Sequence, residues 1–382
     1  MTGFGGYSGL SVKNTGGISL TVDFTVDDTN PPPNTPVTFT ATGSVGVGYI
    51  HVWDFGDGGD LGIAEDTATI NHTYTTQEVV SVELWVIRVS DDAIGNRFRE
   101  NYIDIEAVFS YILDTYTGGT LGLSLRKQRV LYSGALVEIR RSSDNATKDF
   151  FPDSNNALSL NSEDGSGTTL SSWIGSDDGF VRTWYDQSGN GYDAQQTTAS
   201  AQPQIISSGS LITVDSKPTI NFDGTKHLVC NSFELIVDRI LTASVQSVDT
   251  PTVEGVVYQV SYDISGSNRL SMGYNFSASN EMAIRLSSGD TDSASYSTTT
   301  RTIITADANF SGNVAALRVD ATNATGTAST RQTVGNYPVI GARGDGDFEM
   351  NGKISEFVVW NSDQSSNISG IETELNDYYA VY

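Results

Sequence analysis

From residue 203 to its end the chain is a succession of short segments rich in β-branched and aromatic residues. Among them are KPTINFDG, RILTASVQSV, GVVYQVSYD, RTIITADANF and KISEFVVWNS, each bounded by Gly, Asp, Asn or Ser. Apolar runs of this length, punctuated by turn residues at this cadence, fit strands and leave no room for a helical protein. Residues 20–106 read the same way, with LTVDFTV, PVTFTATG, YIHVWDFGDG and VVSVELWVIRVS. Val37, Phe39 and Ala41 alternate with polar residues, as do Val80, Val82, Leu84 and Val86. Strands apolar on one face bury it by packing sheet on sheet. The expected fold class is therefore all-β.

A chain of 382 residues can bury more than one core, so two or three domains are expected. Its net charge of -25 repels phosphate backbones and anionic membrane surfaces, which makes nucleic acid an unexpected partner and reads otherwise as solubility. Cys230 is the single cysteine, which excludes an intrachain disulfide and a cysteine-rich zinc site and predicts a buried thiol. The opening MTGFGGYSGLSVKNTGG has no basic region leading into an apolar one, and no segment approaches the roughly 18 apolar residues of a membrane span. Neither a secretory signal nor membrane insertion is expected. Residues 1–19 are read as an arm that packs on its own body or on a neighbour.

Within residues 20–106 the sequence HVWDFGDG at 51–58 is followed by NHTY at 71–74. Trp53 and Phe55 are expected in the core, Gly56 and Gly58 in a turn, and Asp54 and Asp57 capping its amides, with calcium the alternative role for the two aspartates. His51 and His72 fall on strand positions and are read as structural. This pair of motifs resembles the PKD domain, which implies an immunoglobulin-like sandwich acting as a spacer or interaction module.

After residues 107–119 the pattern changes. LGLSLRKQRVLY at 121–132 spaces Leu121 and Leu125 at a helical interval and predicts a short helix. Residues 135–143 predict a strand and residues 144–150 a turn. Residues 179–196, GFVRTWYDQSGNGYDAQQ, predict a strand with Phe180, Arg182 and Trp184 on one face and Val181, Thr183 and Tyr185 on the other, running into a tight polar loop. At the carboxyl end Ser369 and Glu372 have capping-box spacing before a short amphipathic helix carrying Ile371, Leu375 and Tyr378.

The order SLRK at 124–127, IRRSSDNA at 139–146 and WYDQSGNG at 184–191 resembles the catalytic domain of the α-L-arabinofuranosidase B family. That resemblance implies a concanavalin-like jelly roll over residues 107–382 with short peripheral helices. It also implies a retaining hydrolase, which needs two carboxyl groups about 5 Å apart. Asp345, in GARGDGDF, matches the position of the family's acid. The family's nucleophile, a Glu after adjacent cysteines, has no counterpart in GVVYQVSYD at 255–263, where only Asp263 offers a carboxyl. The chain is therefore expected not to be an enzyme and to hold no metal or other cofactor.

Trp184, Tyr185, Asp186, Asn190 and Asp345 are the candidate carbohydrate-binding residues. Asp186 and Asn190 have the alternative role of bonding the loop's own amides. The expected function is a non-enzymatic decoration or adhesion protein on the surface of a bacteriophage particle, bound to other virion proteins through its arm and to surface glycans through its jelly roll, with a homo-oligomer as a further partner state. The alternatives are a secreted bacterial carbohydrate-binding protein and a retaining arabinofuranosidase-like hydrolase.

Overall fold

The alternating segments of residues 20–106 form seven strands among the described residues: β1 (Val22–Val26), β2 (Pro36–Gly43), β3 (Tyr49–Asp54), β4 (Gly62–Glu65), β5 (Thr69–Thr73), β6 (Val79–Arg88) and β7 (Ala93–Asp104). They belong to a computed structural model that describes residues 20–76, 78–105, 111–231, 233–235, 239–249, 254–261, 269–274, 281–286, 290–295, 300–309, 311, 314–326, 334–336, 338–343 and 347–382. The arm at 1–19, Asp263 and Asp345 lie outside these residues. The chain divides into two compact units, Met1–Phe109 and Ser110–Tyr382.

In the first unit the order β1-β2-β5 makes one antiparallel sheet and β4-β3-β6-β7 the other. Phe24, Phe39, Trp53, Phe55, Val82 and Leu84 are buried together, as two apolar sheet faces require. The WDFGDG turn closes as its residue types dictate. Asp54 Oδ1 accepts from the Gly56 amide at 2.9 Å and Asp57 Oδ1 from the Gly59 amide at 3.2 Å. Gly56 has φ of +82°, and a Cβ there would stand 2.1 Å from the Ser81 carbonyl oxygen. His72 stacks on Phe55 with ring centroids 3.9 Å apart and bonds Asp57 Oδ2 at 2.7 Å, while the Tyr74 hydroxyl donates to the Phe55 carbonyl.

The second unit begins with helix α1 (Ile112–Thr115), then strands β8 (Gly119–Ser124), β9 (Val137–Arg141) and β10 (Thr147–Phe150), helix α2 (Leu170–Ile174), and strands β11 (Gly179–Trp184) and β12 (Ala194–Gln195). The helix predicted at 121–132 is not formed. Leu121, Leu123 and Leu125 are all buried at a spacing of two, and β8 pairs antiparallel with the strand Asn351–Trp360. The Leu121–Leu125 interval that looked helical spans two periods of a strand, and long-range pairing overrides the local helix propensity of this segment. The turn predicted at 144–150 falls instead at 142–144, cutting into the predicted strand, and β10 begins at Thr147.

One sheet layer runs through β8, Asn351–Trp360, Arg239–Val248, Thr302–Asn309, Val314–Val319 and Thr322–Gly326. The other contains β10, β9, β11 and β12, which join Leu228–Cys230 and the strands beyond it. Together they form a large antiparallel sheet curled into a jelly roll, with the main core between its layers. Phe357 and Val359 point into that core, whereas Val358 and Trp360 point outward against helix α3 (Ile368–Tyr379). Burial on both faces explains why FVVW shows no alternation. Helix α3 opens two residues earlier than the capping box predicts: Asn367 is its N-cap, and Glu372 instead receives Arg318 and the Thr305 hydroxyl at 2.7 Å each. No helix among the described residues is long and apolar enough to cross a membrane.

Candidate functional site

The motifs that carry the resemblance build a buried clasp. Ser124, Arg126 and Gln128 alternate along an extended segment, so all three reach one neighbour. That neighbour is the Glu356 carboxylate, which accepts from Ser124 Oγ at 3.0 Å, Arg126 Nε at 2.8 Å, Gln128 Nε2 at 3.0 Å and the Tyr379 hydroxyl at 2.9 Å. From the other side Gln187 Nε2 donates to the carbonyls of Ser124 and Arg126, and its Oε1 accepts from the Gln128 amide. Buried charge is tolerated only when paired and fully hydrogen-bonded, and this one is. Burial opposes the Arg126 charge, yet Glu356 keeps its pKa above the ordinary guanidinium value.

Asp186 belongs to the same construction. Its carboxylate is buried and accepts from the amides of Gly122, Ser188 and Tyr192 and from the Ser188 hydroxyl. The Asn190 side chain donates to the Thr120 carbonyl at 2.9 Å, tying the loop to β8 rather than bonding the loop's own amides. Asp186 thus bonds the loop's own amides as well as Gly122 of β8, and the Asn190 amide nitrogen ties the loop to β8.

Trp184 does not offer a stacking face: its side chain is 0% exposed, in the core. The reason is a bulge. β11 pairs with β9 as Val181↔Ile139, then Thr183↔Glu138, so Arg182 is the extra residue. An extra residue reverses strand parity. Trp184 turns inward, Tyr185 turns outward, and the two predicted faces of residues 180–185 exchange halfway along.

The bulge also makes a site. Arg182 Nη1 donates to Glu138 Oε1 at 2.6 Å and Thr183 Oγ1 to Glu138 Oε2 at 2.8 Å, so adjacent residues hold one carboxylate by both oxygens. Asp149 is the direct cross-strand partner of Glu138, and Gln195 that of Thr183. The Tyr185 hydroxyl donates to Asp149 Oδ1 at 2.6 Å. Partial burial and then this hydrogen bond push the phenol's pKa well above its ordinary value. Glu138, Arg182, Thr183, Tyr185, Gln195 and Thr197 line an open groove of about 280 Å³.

Of the residues picked from the sequence that the structure describes, only Tyr185 lines this groove. Glu138, Asp149, Arg182, Gln195 and Thr197 went unrecognised. The available signal was Glu138 itself, a charged residue alternating with Val137 and Ile139 on a strand. Among the described residues no group of three or more His, Cys, Asp or Glu side chains is placed to hold a metal ion.

No protein-family model matches the chain, and no curated protein matches it in sequence. Among solved structures it is similar to a glutamate-to-glutamine mutant of a GH54 α-L-arabinofuranosidase soaked with 4-nitrophenyl α-L-arabinofuranoside, at a TM-score of 0.53 and 14% identity over 71% of this chain and 65% of that one. It is also similar to an arabinofuranosidase complexed with arabinofuranosyl-α-1,2-xylobiose, at a TM-score of 0.52 and 14% identity over 71% and 64%. A GH54 α-L-arabinofuranosidase soaked with a cyclic sulfate inhibitor gives 0.51 and 14% over 71% and 65%. The match thus spans less than two thirds of each of these chains. At this identity the likeness is one of fold.

Proposed function

We propose that the second unit is a non-hydrolytic carbohydrate-binding domain whose ligand lies in the groove over Tyr185. The observation that carries this reading is the row Asp149, Glu138, Thr183 and Gln195 laid across four strands beside a half-buried tyrosine ring. Two carboxylates fixed in advance, Glu138 by Arg182 and Thr183 and Asp149 by Tyr185, suit the paired hydroxyls of a sugar, because little ordering remains to be done on binding. A tyrosine ring offers an apolar surface to the C–H face of the same sugar. A groove of about 280 Å³ is at the small end for ligand sites and suits one or two sugar rings. The fold shared with the arabinofuranosidases supports the reading as analogy.

A glycan array followed by calorimetry tests it. Binding that weakens about tenfold or more in both Tyr185→Ala and Arg182→Ala upholds it, whereas a wild-type chain that binds no glycan removes it. Turnover of 4-nitrophenyl α-L-arabinofuranoside that vanished in Asp345→Asn would replace binding with hydrolysis. Display of this domain on a phage particle, with the first unit as spacer, is a further part of the proposal that the motif order motivates. Co-sedimentation with particles at fixed stoichiometry is the expected result, and recovery only as free protein would exclude it.

A further inference from the structure

Three cations converge on two tyrosine rings at the end of α3. Lys217 Nζ lies 3.9 Å from the centroid of Tyr378, Arg126 Cζ 4.6 Å from the same centroid, and Arg301 Cζ 5.0 Å from that of Tyr379. Ring faces attract cations, which accounts for the stacking but not for the excess of positive charge. Glu356 neutralises Arg126, but among the described residues no carboxylate lies within ion-pair distance of Lys217 or Arg301. In a chain of net charge -25 this is an anomaly.

Arg301 is the sharper half of it. Its side chain belongs to a residue only 3% exposed, and its Nη1 has no hydrogen-bond partner. Nη2 reaches the Lys217 carbonyl at 3.4 Å and the Ser355 hydroxyl at 3.3 Å, both long for a charged donor. A buried guanidinium left this incomplete is costly unless something else completes it. Burial lowers its pKa, and burial followed by the fields of Arg126 and Arg301 lowers that of Lys217. Asp215, Asp153 and Glu374 act on this cluster only at longer range.

The geometry points to an oxyanion site in which a carboxylate or sulfate group bridges Lys217 Nζ and Arg301 Nη1, with the Ser355 hydroxyl at its edge. Lys217 is half-buried on the short hairpin Thr213–Val214 and Lys217–Pro218, so the anion enters from that side. The same chemistry is offered by a free inorganic oxyanion and by the acid group of a charged sugar. The site shares no residue with the groove over Tyr185.

Calorimetric titration of the full chain with sodium sulfate, sodium glucuronate and glucose at constant ionic strength is the test. Saturable sulfate or glucuronate binding that weakens about tenfold in Lys217→Met, the loss of one charge-assisted contact, upholds the site. Glucuronate binding more tightly than sulfate identifies an acid sugar as the source, and the reverse order identifies an inorganic anion. Absence of saturable binding by either anion overturns the site, as does an equal response to glucose or an unchanged affinity in Lys217→Met. That variant alters a half-buried hairpin residue and so stays decisive where Arg301→Met fails to fold. Tyr185→Ala leaves anion binding unchanged.

Discussion

Arg126 Nε donates to Glu356 Oε2 at 2.8 Å with the Glu356 side chain 0% exposed, and this contact fixes where β8, the strand Asn351–Trp360 and α3 meet. Removing the acid leaves a buried guanidinium, an amide and a phenol without their common acceptor. Glu356→Ala is therefore expected to lose about 3–5 kcal/mol in urea unfolding. A loss under about 1 kcal/mol would put the pair among weakly contributing surface bridges.

The bulge at Arg182 predicts opposite consequences for two adjacent aromatic residues. Trp184→Ala removes a fully buried indole from the main core and is expected to cost about 3–5 kcal/mol of stability. Tyr185→Ala is expected to change stability by no more than about 1 kcal/mol while weakening glycan binding. Equal stability losses in the two variants would mean that the parity reversal is not maintained in solution.

Cys230 is buried, and its burial followed by the nearby Asp186 and Asp193 pushes the thiol's pKa well above its ordinary value. The thiolate is the reactive form. A chromogenic disulfide reagent is expected to leave the native protein untouched and to react with one thiol per chain in urea. Rapid reaction of the native protein would contradict this burial.

Asp144 titrates at about 2, below its ordinary 3.8, because Arg141 holds it at 2.6 Å and the Ala146 amide donates to it. A carboxyl whose folded value is depressed adds stability above its unfolded value. That contribution is present above about pH 4 and lost as pH falls toward 2. In Arg141→Met the Asp144 carboxyl midpoint, followed by NMR, is expected to rise toward 3.8. A midpoint still near 2 would assign the shift to the Ala146 amide.

The WDFGDG turn was legible from the sequence, because Asp54 and Asp57 each accept from an amide two residues on. β8 was not legible. Leu121, Leu123 and Leu125 carry both a strand period and a helix interval, and the choice between them lies with a partner strand more than 200 residues away in the chain. The capping box at Ser369 failed for a related reason, since Glu372 finds Arg318 and Thr305 instead of its own helix start.

The sequence by itself determined the all-β class, the WDFGDG turn and most of the core, since alternation and turn chemistry are local properties. Tertiary structure alone decided which aromatic residue of the pair at 184 and 185 meets solvent, and which charged side chains share a groove. A single extra residue at Arg182 reverses every later side chain on its strand, and that residue is extra only relative to Glu138 on the strand beside it.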